Sequence, residues 1–146
     1  MNKLFTTYLL SLISLYSFSQ TSGQVIANAN SYLNHNWTGT SANDWNSVSC
    51  GGKVVSAVNW YSAGSHTALP YCWGGNSTLT GFDSGISNGK SAGDSKTSYG
   101  YGAEPNCSVG VDCSGFTSRC YNLNTHYSTT MLNTNSLFGH HNSYND

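Results

Sequence analysis

Residues 112–120 read Asp-Cys-Ser-Gly-Phe-Thr-Ser-Arg-Cys, a run compatible with a short helix that packs Phe116 and Cys120. Cys113 then lies in the first turn of that helix, where free backbone N–H groups and the positive end of the helix dipole face the sulfur. A thiol attacks carbonyl groups as the thiolate anion, which these groups stabilise. The run therefore predicts that Cys113 is a nucleophile.

The residues beside Cys113 also bear on its reactivity. Asp112 carries a negative charge that opposes formation of the thiolate. We therefore expect its side chain either to cap the helix through backbone N–H groups or to hold a cationic group of a ligand. Ser114 and Gly115 are small, so we expect a substrate carbonyl to reach the sulfur, with the Cys113 amide helping to bind the developing oxyanion.

A second informative segment lies upstream, where residues 70–75 read Pro-Tyr-Cys-Trp-Gly-Gly. Two glycines end this aromatic stretch, and glycine adopts backbone conformations that other residues avoid. The segment therefore predicts either a sharp corner or a place where another part of the chain approaches closely.

Together, residues 70–75 and 112–116 resemble the paired PYxWGG and DCSGF motifs of the NlpC-type family of cell-wall cysteine peptidases. The resemblance implies a papain-like α+β core in which the nucleophile's helix packs on an antiparallel sheet. This chain would hold the front half of that core, with an incomplete sheet. The resemblance also implies a secreted enzyme that hydrolyses amide bonds in peptidoglycan stem peptides.

The resemblance assigns roles to individual residues. Cys113 is the expected nucleophile, and Tyr71 is expected beside the thiol, where it helps to position the substrate. Asp112 and Ser114 are expected to recognise the free amine of the peptide. Trp73 completes the predicted substrate-binding residues.

The general base is the missing part of this pattern, because a thiol peptidase needs an imidazole to take and return a proton. The family's Gly-Asp strand start and His-Val-Gly segment, which normally follow the cysteine, do not occur between Cys113 and Asp146. We therefore expect a base beyond Asp146 in a longer gene, and little activity from this chain alone. Within the chain, His140 or His141 is the candidate base. The other histidines are interpreted as surface residues: His35, His66 and His126.

The five cysteines are an odd number, which leaves one sulfur over for a reactive thiol, an intermolecular bridge or a partner outside the chain. Cys113 and Cys120 lie two helical turns apart, roughly 10 Å, which is too far for a disulfide. The other four can form two bridges and leave Cys113 free, with the pairing open: Cys50, Cys72, Cys107 and Cys120.

Residues 1–19 are interpreted as an export signal, with Lys3, an apolar stretch and a cleavage point between Ser19 and Gln20. A secreted or periplasmic protein without a membrane anchor is expected after cleavage. Residues 20–146 then form one incomplete peptidase domain.

Charged residues make up 8% of the chain, with five Lys and Arg against six Asp and Glu. The absence of a basic stripe argues against nucleic acid. We expect a monomer with no cofactor and no metal.

Hydrophobic spacing predicts an amphipathic helix over residues 24–36, capped by Ser22 or Gly23. A second apolar run, residues 54–61, is assigned to a helix, and residues 37–44 to turns. Residues 76–110 are interpreted as an inserted polar loop that includes the sequence Gly-Phe-Asp-Ser-Gly at 81–85. No regular pattern follows Asn122.

Two other functions remain open. One is a non-catalytic module for binding cell wall or glycan, in which Cys113 is structural and aromatic rings stack on the ligand. The rings concerned are those of Tyr71, Trp73, Tyr99 and Tyr101. The other is a disulfide-stapled surface protein with an oxidised Cys113. Amidases that use cysteine and histidine are a further related class.

Overall fold

The computed structural model describes residues 20–51, 53–56, 62–95 and 107–134. In this part of the chain the architecture is mixed α+β, as predicted, with two-stranded sheets and no helix long and apolar enough to cross a membrane. The elements in chain order are α1 (Ser22–Leu33), β1 (Asn36–Gly39), a 3₁₀ turn (Ser41–Asn43), β2 (Val48–Cys50), β3 (Lys53–Val55), β4 (Gly64–Thr67), α2 (Leu79–Ser87), β5 (Ser91–Ala92), β6 (Ser108–Val109), α3 (Cys113–Cys120) and α4 (Thr129–Thr134). The predicted export signal and the candidates Tyr99, Tyr101, His140 and His141 lie outside the described residues.

The predicted first helix is confirmed as α1, but its cap is Thr21 rather than Ser22 or Gly23. The Thr21 side chain accepts a hydrogen bond from the Gln24 amide, and the Gln24 side chain accepts one from the Thr21 amide. This reciprocal capping box satisfies two N–H groups that the helix start leaves without helical partners. The helix ends at Leu33, so the chain enters β1 at Asn36.

Helix α1 packs directly on α3. The rings of Tyr32 and Phe116 meet edge to face, with centroids 6.1 Å apart. The Tyr32 hydroxyl donates to the Ser77 carbonyl at 3.1 Å, and the Asn28 side-chain amide donates to the Cys120 carbonyl at 2.9 Å. The first helix therefore braces the helix that begins at Cys113.

The helix predicted from residue 54 is wrong where the structure describes it. Lys53–Val55 form β3, which pairs antiparallel with β2. Val55 is fully buried against Cys107. A short apolar run does not distinguish helix from strand, and the adjacent β-branched Val54 and Val55 favour a strand. The turns predicted at residues 37–44 are also partly wrong, because β1 pairs antiparallel with β4.

The polar loop predicted over residues 76–110 is wrong near its start, because residues 79–87 form helix α2. Phe82 is fully buried and meets the Trp37 ring edge to face at 5.1 Å. A Cβ on Gly85 would collide with Val109, so this glycine allows α2 to lie against β6. One aromatic residue and one glycine on the same face give this polar segment a buried side.

Three extended segments, around Cys72, Asp94 and Val111, bring the two sequence motifs together. The Cys72 amide donates to the Val111 carbonyl at 3.0 Å, and the Val111 amide donates to the Pro70 carbonyl at 3.2 Å. On the other side, Trp73 and Tyr71 exchange backbone hydrogen bonds with Asp94. Residues 70–72, distant in sequence, thus run parallel to the segment around Val111, which leads into α3.

Replacing Tyr32 by Phe is expected to lower the free energy of unfolding by about 1 kcal/mol at neutral pH, because the hydrogen bond to Ser77 is lost. Burial raises the pKa of Tyr32 above its ordinary 10.0, with Arg119 acting in the opposite direction. The folded chain therefore holds this proton more tightly than the unfolded chain. Its stabilising contribution is complete below about pH 10 and is lost as pH rises through the raised pKa. Urea unfolding of wild type and Y32F should show a difference that shrinks in alkali, and a constant difference would contradict this.

Candidate active site

Cys113 is the exposed thiol of the chain and the first residue of α3. Cys50 and Cys107 form a disulfide, with their Cα atoms 6.1 Å apart. Cys72 and Cys120 are buried thiols. The prediction that Cys113 is left outside the bridges is confirmed, whereas the second bridge between the other cysteines is not formed.

The two buried thiols lie in environments that differ from that of Cys113. Burial raises the pKa of Cys120 above 9.0, which favours its neutral form at physiological pH. Cys72 is fully buried, and its sulfur lies 3.3 Å from the Ser108 hydroxyl. Neither thiol is placed to compete with Cys113 for a reagent from solution.

Asp112 caps helix α3, which is one of the two roles expected for it. Its Oδ1 accepts from the Gly115 amide at 2.6 Å and from the Ser114 hydroxyl at 2.8 Å. Its Oδ2 accepts from the Gly74 amide at 3.1 Å. Each carboxylate oxygen accepts about two hydrogen bonds. Internal donors therefore occupy Oδ1, and Oδ2 retains one acceptor position.

His126, interpreted from the sequence as a surface residue, lies in this cluster. Its Nε2 is 2.9 Å from Ser114 Oγ and 3.5 Å from Asp112 Oδ1. The Ser114 hydroxyl uses its hydrogen on Asp112, so it accepts from His126, and Nε2 carries the hydrogen. Sequence reasoning missed this residue because it follows α3 in a segment with no hydrophobic period.

A side-chain hydrogen bond holds the segment that carries His126. The Tyr127 amide donates to the Ser118 hydroxyl at 3.1 Å, and that hydroxyl donates to the Ser114 carbonyl at 2.8 Å. Ser118 is fully buried on α3. Its hydroxyl therefore ties the chain after the helix back onto the helix and brings His126 to Ser114.

Ser114, His126 and Asp112 do not form a serine-protease triad. In such a triad one imidazole nitrogen accepts the serine proton while the other donates to the carboxylate. Here the same nitrogen, Nε2, faces both Ser114 and Asp112, and the serine hydroxyl already donates its hydrogen bond to the carboxylate. Ser114 is also buried, whereas Cys113 is exposed. The side chain open to solvent is the thiol.

Tyr71 and Trp73 lie on the surface of the second motif, with exposed fractions of 38% and 46%. Desolvation raises the pKa of the Tyr71 hydroxyl, and the negative charges of Asp112 and of the Cys113 thiolate raise it further. The hydroxyl thus stays protonated near neutral pH and can donate a hydrogen bond.

The predicted close approach at the glycine pair is confirmed. A Cβ on Gly75 would lie 2.7 Å from the Gly110 carbonyl oxygen, and one on Gly115 would collide with the Gly75 carbonyl oxygen. The Arg119 guanidinium also donates twice to the Asn76 carbonyl, at 2.9 and 2.7 Å. Gly115 and Ser114 are therefore small residues at positions where the chain packs closely.

Comparisons of the chain with protein-family models, with curated proteins and with solved structures found no match. The family resemblance and the papain-like core stay predictions. Among residues 20–51, 53–56, 62–95 and 107–134, no group of three or more His, Cys, Asp or Glu side chains is arranged to hold a metal ion.

Alkylation of the native chain with iodoacetamide at neutral pH is expected to modify Cys113 first, because the other two thiols are buried. Peptide mapping by mass spectrometry would find Cys72 and Cys120 labelled only after unfolding. Their labelling in the native chain at the rate of Cys113 would contradict the described burial.

Replacing Asp112 by Ala is expected to cost roughly 0.5–2 kcal/mol of stability through loss of the helix cap, whereas Asn retains a capping oxygen. D112N also removes a negative charge next to the thiol, so Cys113 should be alkylated faster than in wild type. Thr78→Ala is the matched control, since Thr78 caps α2 by accepting from the Gly81 amide at 3.0 Å. T78A should lower stability without changing the alkylation rate of Cys113. If T78A changed that rate as much as D112N does, the effect would not come from the charge next to the thiol.

Proposed function

We propose that this chain belongs to a secreted cysteine hydrolase that cleaves amide bonds in peptidoglycan stem peptides, with Cys113 as the nucleophile. The observation that carries the proposal is the exposed Cys113 thiol at the first residue of an eight-residue helix. Tyr71 and Asp112, which belong to the two motifs of the family resemblance, lie near this thiol. The papain-like core implied by the resemblance is part of the proposal.

The reaction follows from the chemistry of a thiolate at a helix start. The sulfur attacks the carbonyl carbon of the scissile amide, and the electron pair of the C=O bond moves onto oxygen. The Cys113 backbone N–H is the proposed donor to that oxyanion. When the oxyanion collapses, the C–N bond breaks, and the amine leaves with a proton from a general acid. Water then attacks the thioester, releases the carboxylate and restores the thiol.

This mechanism requires an imidazole that takes the thiol proton and returns it to the leaving amine. His140 or His141, or a histidine beyond Asp146, is proposed for this role. In the described part of the chain, His126 makes its hydrogen bond to Ser114, and Cys113 makes none to an imidazole. His126 is therefore not the proposed base.

The substrate-binding side of the proposal rests mainly on the exposed aromatic residues. Tyr71 offers a protonated hydroxyl beside the sulfur, and Trp73 offers an exposed ring in the same segment. Asp112 retains one acceptor position on Oδ2, which suits a single N–H of a substrate ammonium group. Ser114 acts through Asp112, because its hydroxyl is already donated to that carboxylate.

A second candidate function is a cell-wall or glycan-binding module, favoured by the exposure of Tyr71 and Trp73 two residues apart. Exposed aromatic rings are suited to stack on sugars or on peptide. In such a module Cys113 has no chemical role. Binding to insoluble cell wall would then depend on the two rings and be unaffected by C113A.

A stem peptide carrying an electrophilic ketone in place of the scissile amide tests the proposal without requiring the general base. We expect a covalent adduct on Cys113, detected by mass spectrometry and suppressed by excess unmodified stem peptide. C113A should give no adduct, and Tyr71→Phe should slow its formation because the hydroxyl donor is lost.

The matched control is the same electrophile on an unrelated peptide. Equal labelling by both peptides would contradict stem-peptide recognition. Wall binding that is lost in a W73A variant, together with absence of any adduct, would favour the binding module.

A further inference from the structure

His126 has no part in the reaction proposed above, yet it contacts two residues of the predicted site. Its Nε2 lies 2.9 Å from Ser114 Oγ and 3.5 Å from Asp112 Oδ1. Its side chain is 28% exposed and that of Asp112 15%. The two polar partners give this partly buried imidazole a defined orientation.

The hydrogen atoms in this cluster can be assigned by elimination. Asp112 as a carboxylate only accepts, so the Ser114 hydroxyl donates its hydrogen bond to Oδ1. The remaining capacity of that hydroxyl toward His126 is as an acceptor, and Nε2 must donate. The chain of hydrogen bonds therefore runs in one direction, from imidazole to hydroxyl to carboxylate.

This direction matters for the thiol next to the cluster. The Asp112 charge opposes formation of a thiolate at Cys113, and each donor on the carboxylate reduces that effect. The Gly74 and Gly115 amides are fixed by the backbone, whereas the Ser114 hydroxyl rotates freely unless its oxygen is held. His126 holds that oxygen.

We propose that His126 is a positioning residue for Cys113, acting through Ser114 to keep the Asp112 carboxylate supplied with hydrogen-bond donors beside the nucleophile. Its relevance to catalysis rests on the proposed role of Cys113, whereas its effect on the thiol does not. The charged group that faces His126 is Asp112, and Tyr71 interacts electrostatically with Asp112 and with Cys113.

The first test is spectroscopic and does not depend on activity. A long-range ¹H–¹⁵N correlation spectrum of the ¹⁵N-labelled chain in alkali, where the ring is neutral, should show the Nε2–H tautomer for His126. A neutral His126 with its hydrogen on Nδ1 would overturn the proposal, because such a ring cannot donate to Ser114.

The second test measures the rate of Cys113 alkylation at pH 7 in a double-mutant cycle. H126A should react roughly threefold to tenfold more slowly than wild type, the size expected for loss of about one hydrogen bond. H126Q should restore most of the rate, because the glutamine amide can donate from the same side. In an S114A background, H126A should have little further effect, since the connection to Asp112 is already broken.

The matched control is His35→Ala, which removes an imidazole that also lies against a carboxylate, at 2.7 Å from Asp83. It should leave Cys113 alkylation unchanged. Wild-type alkylation rates in H126A would overturn the positioning role. If the stem-peptide electrophile fails to label Cys113 while the double-mutant cycle behaves as expected, the proposed hydrolase function fails and the positioning role stands.

Discussion

The Asp112 carboxylate links the two halves of the candidate site. One oxygen caps α3 through the Gly115 amide, and the other accepts from Gly74, 38 residues earlier in the chain. The Asp112 amide in turn donates to the Gly75 carbonyl at 3.0 Å. The start of the helix and the aromatic corner are therefore one hydrogen-bonded unit. Side chains at Gly75 or Gly115 would force the two segments apart.

Packing contacts elsewhere in the described chain support this unit. Helix α1 packs on α3 through Tyr32 and Phe116, and α2 buries Phe82 against Trp37. Each hydrophobic cluster holds few side chains, as expected for a small chain with little core. The disulfide between Cys50 and Cys107 spans 57 residues and ends where β6 leads towards α3. Closing a loop of that length restricts the unfolded chain, and the resulting gain in stability compensates in part for the small core.

The three thiols differ in accessibility because of their positions in the fold. Cys72 and Cys120 are enclosed by the packing that holds the site together, and desolvation favours the neutral form of Cys120. Cys113 shares a helix with Cys120 but lies at its exposed first residue, beside a carboxylate whose charge is met by several donors. A thiol at that position is accessible to a ligand while its supporting groups remain ordered.

Features that depend on neighbouring residues along the chain could be predicted from the sequence alone. Helix α1, the helix that starts at Cys113 and the corner at the glycine pair follow from hydrophobic spacing, capping chemistry and the conformational range of glycine. Helix α2 could not be predicted in this way, because Phe82 is buried against a distant partner, Trp37. Strand β3 had a local signal in the β-branched Val54 and Val55, but the burial of Val55 also depends on a distant residue, Cys107. The place of His126 was likewise decided only by tertiary structure. Its partners are brought to it by the buried Ser118 hydroxyl, and such a contact leaves no periodic trace in the sequence.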